Sequence, residues 1–326
     1  MTVITPTTPV DTQPQLRRPA EAVLGTDVRQ ARNIDEVLHI AGMDWDIVTA
    51  DDADGLSVGI GDRERSVFMP GRKLLMRADA PVVLGMVGTG YEPLSNREAF
   101  ALADVAHSMG AQFTSAGESD HGRKAWVSMD LPEAAVKIGG KDLVQFSIDF
   151  RTSHAGEGSV AGRVRGHRLA CLNGLSVSLS SDSAYAERHT ASVTQRLAFA
   201  ERVVRGAIQW AKEFSALGEA LITTPTSRSE FRAYVEHLYP EPDPDRKVAH
   251  DRWAARQADL MGLFTTSTLQ SEGRGTSWAA VNAVTEHDQW WRSARSDESR
   301  ARRQFEGDSE RFSAHAFRAI REMAGV

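Results

Sequence analysis

The sequence predicts an α+β fold: a mixed, mainly antiparallel sheet with a packed helix, followed by a helical C-terminal region. Two patterns carry this expectation. From residue 31 to 175 the order reads helix, several strands, helix, several strands, with Asp/Gly turns between short apolar runs. From about residue 190 the period becomes helical: Val193, Leu197, Ala200, Val204, Ile208 and Ala211 draw one apolar stripe. The chain has 326 residues, enough for a substantial core.

The N-terminal stretch is Thr/Pro/Gln-rich and reads as a disordered arm over residues 1–25. Ile34, Val37, Leu38 and Ala41 form a helix face that Gly42 ends. WDIVTA, LSVGI and SVFMP read as strands, and KLLMRADAPVVLGMVG as a hairpin turning near Asp79–Pro81. Ser95 or Asn96 caps a helix whose apolar side holds Phe100, Ala103, Val105 and Ala106. AQFTSAG, KAWVSMDLP and LVQFSIDF are further strands, with a turn at Gly139–Gly140. These elements make a core domain over 26–188. The region 189–326 then opens with a helix of about 25 residues, by its 3.6-residue period. SRSEFRAYVEHLY, HDRWAARQADLMGLF and TSWAAVNAVTEHDQWW continue it, and PEPDPD at 240–245 reads as a linker. The tail alternates Arg with Glu and Asp and reads as a solvated helix.

Composition narrows the function. The net charge of −6 argues against a globally basic nucleic-acid coat but leaves room for a local groove. A single cysteine excludes an internal disulfide framework and a multi-cysteine zinc site, and fits a reducing cytoplasm. No apolar run approaches the roughly 20 residues that span a bilayer, and no secretory signal is evident.

The strongest local anomaly is RTSHAGEGSVAGRVRGHR. It holds Arg151, Arg163, Arg165 and Arg168, two histidines and one acid, Glu157. Arginine forks suit phosphate, and glycines 156, 158, 162 and 166 would let backbone amides approach an anion. The competing reading is a solvated loop plus an edge strand with outward arginines. Arg163, Arg165 and, past Gly166, His167 are not expected to share one strand face. Arg72–Lys73 follows a Pro–Gly turn, and Arg123–Lys124 follows Gly122. With Phe68, Tyr91, Trp126 and Phe150 nearby, these clusters suit single-stranded nucleic acid, where phosphates pair and bases stack. Trp126 and Phe150 also fit core positions.

Enzymatic readings are weaker. His107, His121, His154 and His167 lack close metal spacing. Asp120–His121 beside Arg123–Lys124 invites a nuclease reading but lacks an acidic metal cluster. Cys171 sits in an apolar run and reads as a buried thiol. GTGYEP is not a dinucleotide fingerprint, and no Walker-type loop occurs. The expectation is therefore a non-enzyme with no cofactor and no metal. Glu286, His287 and Asp288 are candidates for partner contact, and Trp290–Trp291 for a subunit boundary.

The chain resembles the phage/plasmid-like proteins grouped as domain of unknown function 932. The resemblance rests on VLHIAGMDWDI, LGMVGTGYEPLSNREAF, RKAWVSMDLP, RTSHAGEGSV, GHRLACLNGL and TSWAAVNAVTEHDQW, in that order. Two positions depart from it. The family commonly has His-Asp-Gly where this chain has His154-Ala155-Gly156, which removes a titratable side chain. It commonly has Asn-Thr-Leu where this chain has Asn173-Gly174-Leu175. The order of hairpin, helix, antiparallel strands and long helix is also similar, at the level of fold, to phage single-strand annealing proteins of the Red-beta, Erf, Sak and Rad-fifty-two-like kind.

That likeness implies an ATP-independent protein that binds and anneals single-stranded DNA, works as a homo-oligomeric ring or filament, and touches no membrane. Its setting would be the cytoplasm, that of the host cell if phage-encoded. Arg72, Lys73, Arg123, Lys124, Arg151, Arg163, Arg165 and Arg168 are the expected phosphate contacts. On this reading a triple Arg163/Arg165/Arg168→Ala variant stays folded and loses binding. The rival is an oligomeric structural or host-interaction protein without a nucleic-acid role. A metal-dependent nuclease comes third.

Overall fold

The computed structural model describes residues 17–50, 56–60, 63–67, 70–156, 159–169, 173–175, 185–188 and 193–326. Residues 1–16 of the expected arm lie outside this set, as do Phe68 and Cys171. The last part of that stretch is structured. Residues 20–24 form a short helix, α1 (Ala20–Leu24), followed by β1 (Thr26–Asp27). α2 (Ile34–Ala41) is capped by Asn33 and stopped by left-handed Gly42, as its sequence predicts.

Two small sheets follow. β2 (Ile47–Ala50) pairs with β5 (Arg72–Arg77), which pairs with β6 (Val83–Gly88). β3 (Leu56–Ile60) and β4 (Arg63–Val67) form a separate hairpin. α3 (Asn96–Ser108) opens with a capping box between Ser95 and Glu98.

The main sheet is antiparallel. It runs β1, β7 (Gln112–Ser119), β8 (Lys124–Ile138), β9 (Asp142–Ser153), β10 (Ser159–Arg168) and β11 (Asn173–Leu175). β12 (Tyr185–Arg188) also pairs with β10. β10 is therefore paired on both sides and is not an edge strand. β8 continues past Pro132, where KAWVSMDLP would end, because a bulge between Leu131 and Val136 absorbs the proline.

One face of this sheet is apolar. Val127, Met129, Val144, Phe146, Ile148, Phe150 and Val164 bury against α3 and α4 (Val193–Thr223). Gly162 faces α4, where an added Cβ would lie 2.8 Å from a Val203 methyl. Gly162 thus permits close helix–sheet packing; it does not line an anion loop. Phe146 meets Trp210 and Phe214 edge-on at 5.1 and 5.6 Å.

The chain continues as α5 (Arg228–Leu238), α6 (Lys247–Thr266) and α7 (Ser277–Glu286). A π turn (His287–Trp291), α8 (Asp297–Phe305) and α9 (Asp308–Ala324) complete it. The apolar side chains of the sheet, α4, α7 and α9 form one continuous cluster, so the strand and helical regions share a core. The charged tail is not simply solvated: Ala301, Phe305, Ala316, Phe317 and Ile320 are buried. Its arginines and acids hold the outer faces of amphipathic helices.

Candidate nucleic-acid interface

The other face of the main sheet is polar and charged. Trp126 stands opposite Arg151, Ser128 opposite Asp149, and Asp130 opposite Ser147. On the next strand Asp149 faces Arg163, Ser147 faces Arg165, and Gln145 faces His167. Arg163, Arg165 and His167 thus share one face, against expectation, because β10 runs unbroken through Gly166 and side chains alternate with period two. Arg168, one residue out of phase, points to the opposite side.

The arginines of this face are already engaged. Arg165 is buried between Asp149 and Glu21, with its Nη2 2.7 Å from an Asp149 oxygen and its Nη1 2.9 Å from Glu21. Arg151 contacts Asp149 at 3.1 Å, donates to the Phe305 carbonyl at 2.8 Å and stacks 3.8 Å over the Phe305 ring. Arg163 pairs with Glu310 of α9 and stays one-third exposed. Burial opposes the charge on Asp149, yet Arg165 and Arg151 outweigh it and hold its pKa near 2. Burial pulls Arg151 down to about 10. Burial likewise lowers His167, against the pull of the Glu21 carboxylate.

α1 lies over this face. Ser115 Oγ donates to the Glu21 carbonyl at 2.7 Å, and Arg17 reaches Glu286 at 3.1 Å. A recess of about 140 Å³ lies beside α1, lined by Glu21, Asp130, Gln145 and His167 among others. A second, of about 150 Å³, is bordered by Leu24, Trp126, Glu298 and Glu306. In the first, burial and the Glu21 charge push Asp130 up to about 6.

Asp130 therefore keeps a proton in the fold that the unfolded chain releases between about pH 4 and 6. Its contribution to stability is fully present at low pH and is lost as pH rises through 6. Asp130→Asn is expected to stabilise the protein at pH 8 by about 1 kcal/mol, discounted for partial solvent screening. The gain should shrink as pH falls through 6 and vanish only below the unfolded value, at about pH 3. Thermal melts at the two pH values check it.

Arg168 is a structural residue. It is buried, its Nε donates to Asp142, and its Nη1 lies 3.0 Å from Gln270. Trp278 of α7 donates to the same Asp142 oxygen at 2.7 Å. Glu286, His287 and Asp288 are also buried within the chain, so they do not form the exposed contact surface that the sequence suggested. Burial and nearby Arg256 take His287 down to about 4. Trp290 carries Arg17 over its ring at 5.0 Å, so the chain's own N-terminal segment lies against it.

The remaining predicted cations stand elsewhere. Arg72 and Arg123 are exposed and Lys73 is half-buried, and none has a carboxylate partner among the described residues. Lys124 heads the charged face and pairs loosely with Asp120 at 3.4 Å. Arg77, five residues along β5 from Arg72, reaches the Gly122 turn. By strand rise the Arg72–Lys73 pair thus lies roughly 17 Å away from that point. The eight predicted residues do not form one groove. Trp126 and Phe150 are buried, as expected of core residues.

His154 is buried, and its Nε2 meets Asn96 Oδ1 at 2.8 Å, while Asn96 Nδ2 donates to the Met43 carbonyl at 3.0 Å. Trp45 lies edge-on to the His154 ring at 5.5 Å. Among the described residues no group of three or more His, Cys, Asp or Glu is placed to hold a metal ion. No helix among them is long and apolar enough to cross a membrane.

Sequence reasoning missed Glu21, Asp130, Asp149 and Glu310, the acids that answer the arginines. The signal for two of them was present. Polar residues alternate in SMD and in QFSIDFR, and this marks a second, polar sheet face. Nothing local in sequence pairs Glu21 or Glu310 with β10.

The fold is thus an antiparallel sheet with one apolar and one charged face, backed by helices. The chain belongs to the family described as Domain of unknown function (DUF932), which it matches over residues 83–305. No curated protein and no solved structure matches it.

Proposed function

We propose that this protein binds single-stranded nucleic acid and anneals complementary strands without ATP, as a homo-oligomer. The observation that carries the reading is the set of cations without a carboxylate partner among the described residues, exposed Arg72 and Arg123 and half-buried Lys73, with exposed Lys124 only loosely paired. Exposed cations on an acidic chain supply phosphate contacts at little desolvation cost. One aromatic side chain stands close: Trp45, itself buried, carries Arg77 4.3 Å over its ring beside the Gly122 turn. The charged sheet face, with Trp126 and three arginines, extends the same chemistry.

The triple Arg72/Lys73/Arg123→Ala variant should bind a fluorescent oligothymidine at least tenfold more weakly at 0.1 M salt. Its log–log salt slope should drop by about 2, since each lost phosphate contact removes roughly 0.7 on a single strand. Unchanged binding by this variant would sink the assignment.

A second reading, an interaction protein without a nucleic-acid role, draws on one feature. Val48, Val83 and Met86 are about half exposed on the β2–β5–β6 sheet, an apolar surface open to a partner. Wild type that ignores oligothymidine at 0.05 M salt would favour it.

A further inference from the structure

We infer that the arginine face of the main sheet is a latent polyanion-binding surface, occupied in the closed protein by the chain's own Glu21 and Glu310 standing where phosphates would bind. This rests on the nucleic-acid reading and deepens it. The strands themselves bring Arg151, Arg163 and Arg165 together against Asp149 and Asp130. The other two balancing acids come from far along the chain, 144 residues for Glu21 with Arg165 and 147 for Glu310 with Arg163.

The apolar anchoring of the cover is light, and its ion pairs, Glu21 with Arg165 and Glu310 with Arg163, are those a polyanion would replace. α1 and α8 pack on each other, and Ala20, Trp126, Ala301 and Phe305 form a small cluster separate from the main core. Val23 and Leu24 add to it only as partly buried neighbours. Burial of so few apolar groups stabilises the cover by several kcal/mol at most before ordering entropy is charged against it. Opening of this unit is therefore expected well below the global unfolding free energy. α9 is held in the main core through Phe317 and Ile320, so its first turn with Glu310 is the part that must yield.

The closed state also leaves donors over. Trp126 is 4% exposed and borders the 150 Å³ recess, and its buried indole Nε1 has no acceptor among the described residues. Arg151 Nε is likewise buried and unmatched. A buried N–H without an acceptor costs about 1–3 kcal/mol. Phosphodiester oxygens would satisfy both, and the three guanidiniums would supply paired forks. Lifting α8 also carries away Glu298 and Glu306, whose charges now rim the recess. The ligand class that fits is a single-stranded phosphodiester, whose bases can stack on Trp126.

The test uses the full chain and fluorescein-labelled oligothymidine. Phe305→Ala combined with Glu310→Gln should loosen the cover. This variant should bind at least tenfold tighter than wild type, with a salt slope steeper by about 1 to 2. Adding Arg163→Gln should remove the gain. Should the loosened variant fail to fold, hydrogen exchange on wild type decides. Saturating oligothymidine should speed exchange of amides in 20–24 and 297–305. The inference is overturned if a folded variant gains no affinity, if the gain survives Arg163→Gln, or if those amides are protected or unmoved. If wild type binds but the variant gains nothing, only the latent face falls. If neither binds, the nucleic-acid reading falls with it.

Discussion

The triple Arg163/Arg165/Arg168→Ala variant is expected to unfold, not merely to lose a ligand. Arg168 is 1% exposed and shares Asp142 with the Trp278 indole. Removing it strands a buried carboxylate, which costs about 3–5 kcal/mol. Arg165 is equally enclosed, and its loss leaves both Asp149 and Glu21 without their main counter-charge. The two sites lie on opposite sheet faces and share no partner, so their costs add. Together they approach or exceed the roughly 5–15 kcal/mol that hold an ordinary domain. Circular dichroism and a urea transition check this. A triple variant with a wild-type midpoint would show that these pairs contribute nothing to the fold. Arg163→Ala alone, at the exposed rim, should keep the fold.

Asn96→Ala is expected to destabilise by about 2–4 kcal/mol. Asn96 is buried at the first position of α3, where its amide joins three segments. Its Nδ2 holds the Met43 carbonyl and its Oδ1 receives His154 Nε2. Alanine leaves the carbonyl and the imidazole N–H buried without this partner, each at about 1–3 kcal/mol, and opens a small cavity. Asn96→Asp should be milder near pH 7, since a carboxylate still accepts from His154. Chemical denaturation of the three proteins at equal pH checks the order wild type, Asp, Ala.

Element types were largely legible because they rest on local periodicity. The α2 and α3 caps, the β5–β6 hairpin and the α4 stripe each follow from residues within one turn or one strand. The site was less legible. Eight cations were readable as cations, but the availability of three, Arg165, Arg168 and Arg163, depends on Glu21, Asp142 and Glu310, which are 26 to 147 residues away. A basic segment on an acidic chain advertises charge; whether water or a carboxylate meets that charge is decided by tertiary packing. The period-two alternation of Arg163, Arg165 and His167 was available in sequence, and following it through Gly166 places all three together. The motifs that carry the family resemblance prove to be joints. HAG meets the α3 start through His154 and Asn96, and the GHR segment meets TSW through Arg168, Asp142 and Trp278.

The linkage of Arg17 to Glu286, 269 residues apart, has a consequence for the order of assembly. During synthesis the main sheet can pair as soon as β10 leaves the ribosome, since its strands are joined mostly by short turns. Arg165 can pair at once, since Glu21 and Asp149 both precede it, whereas Arg151 and Arg163 wait for Phe305 and Glu310, made at about 5–20 residues per second. Arg151 and Arg163 therefore stay uncovered for seconds after β10 has paired, and closing over them follows formation of the sheet.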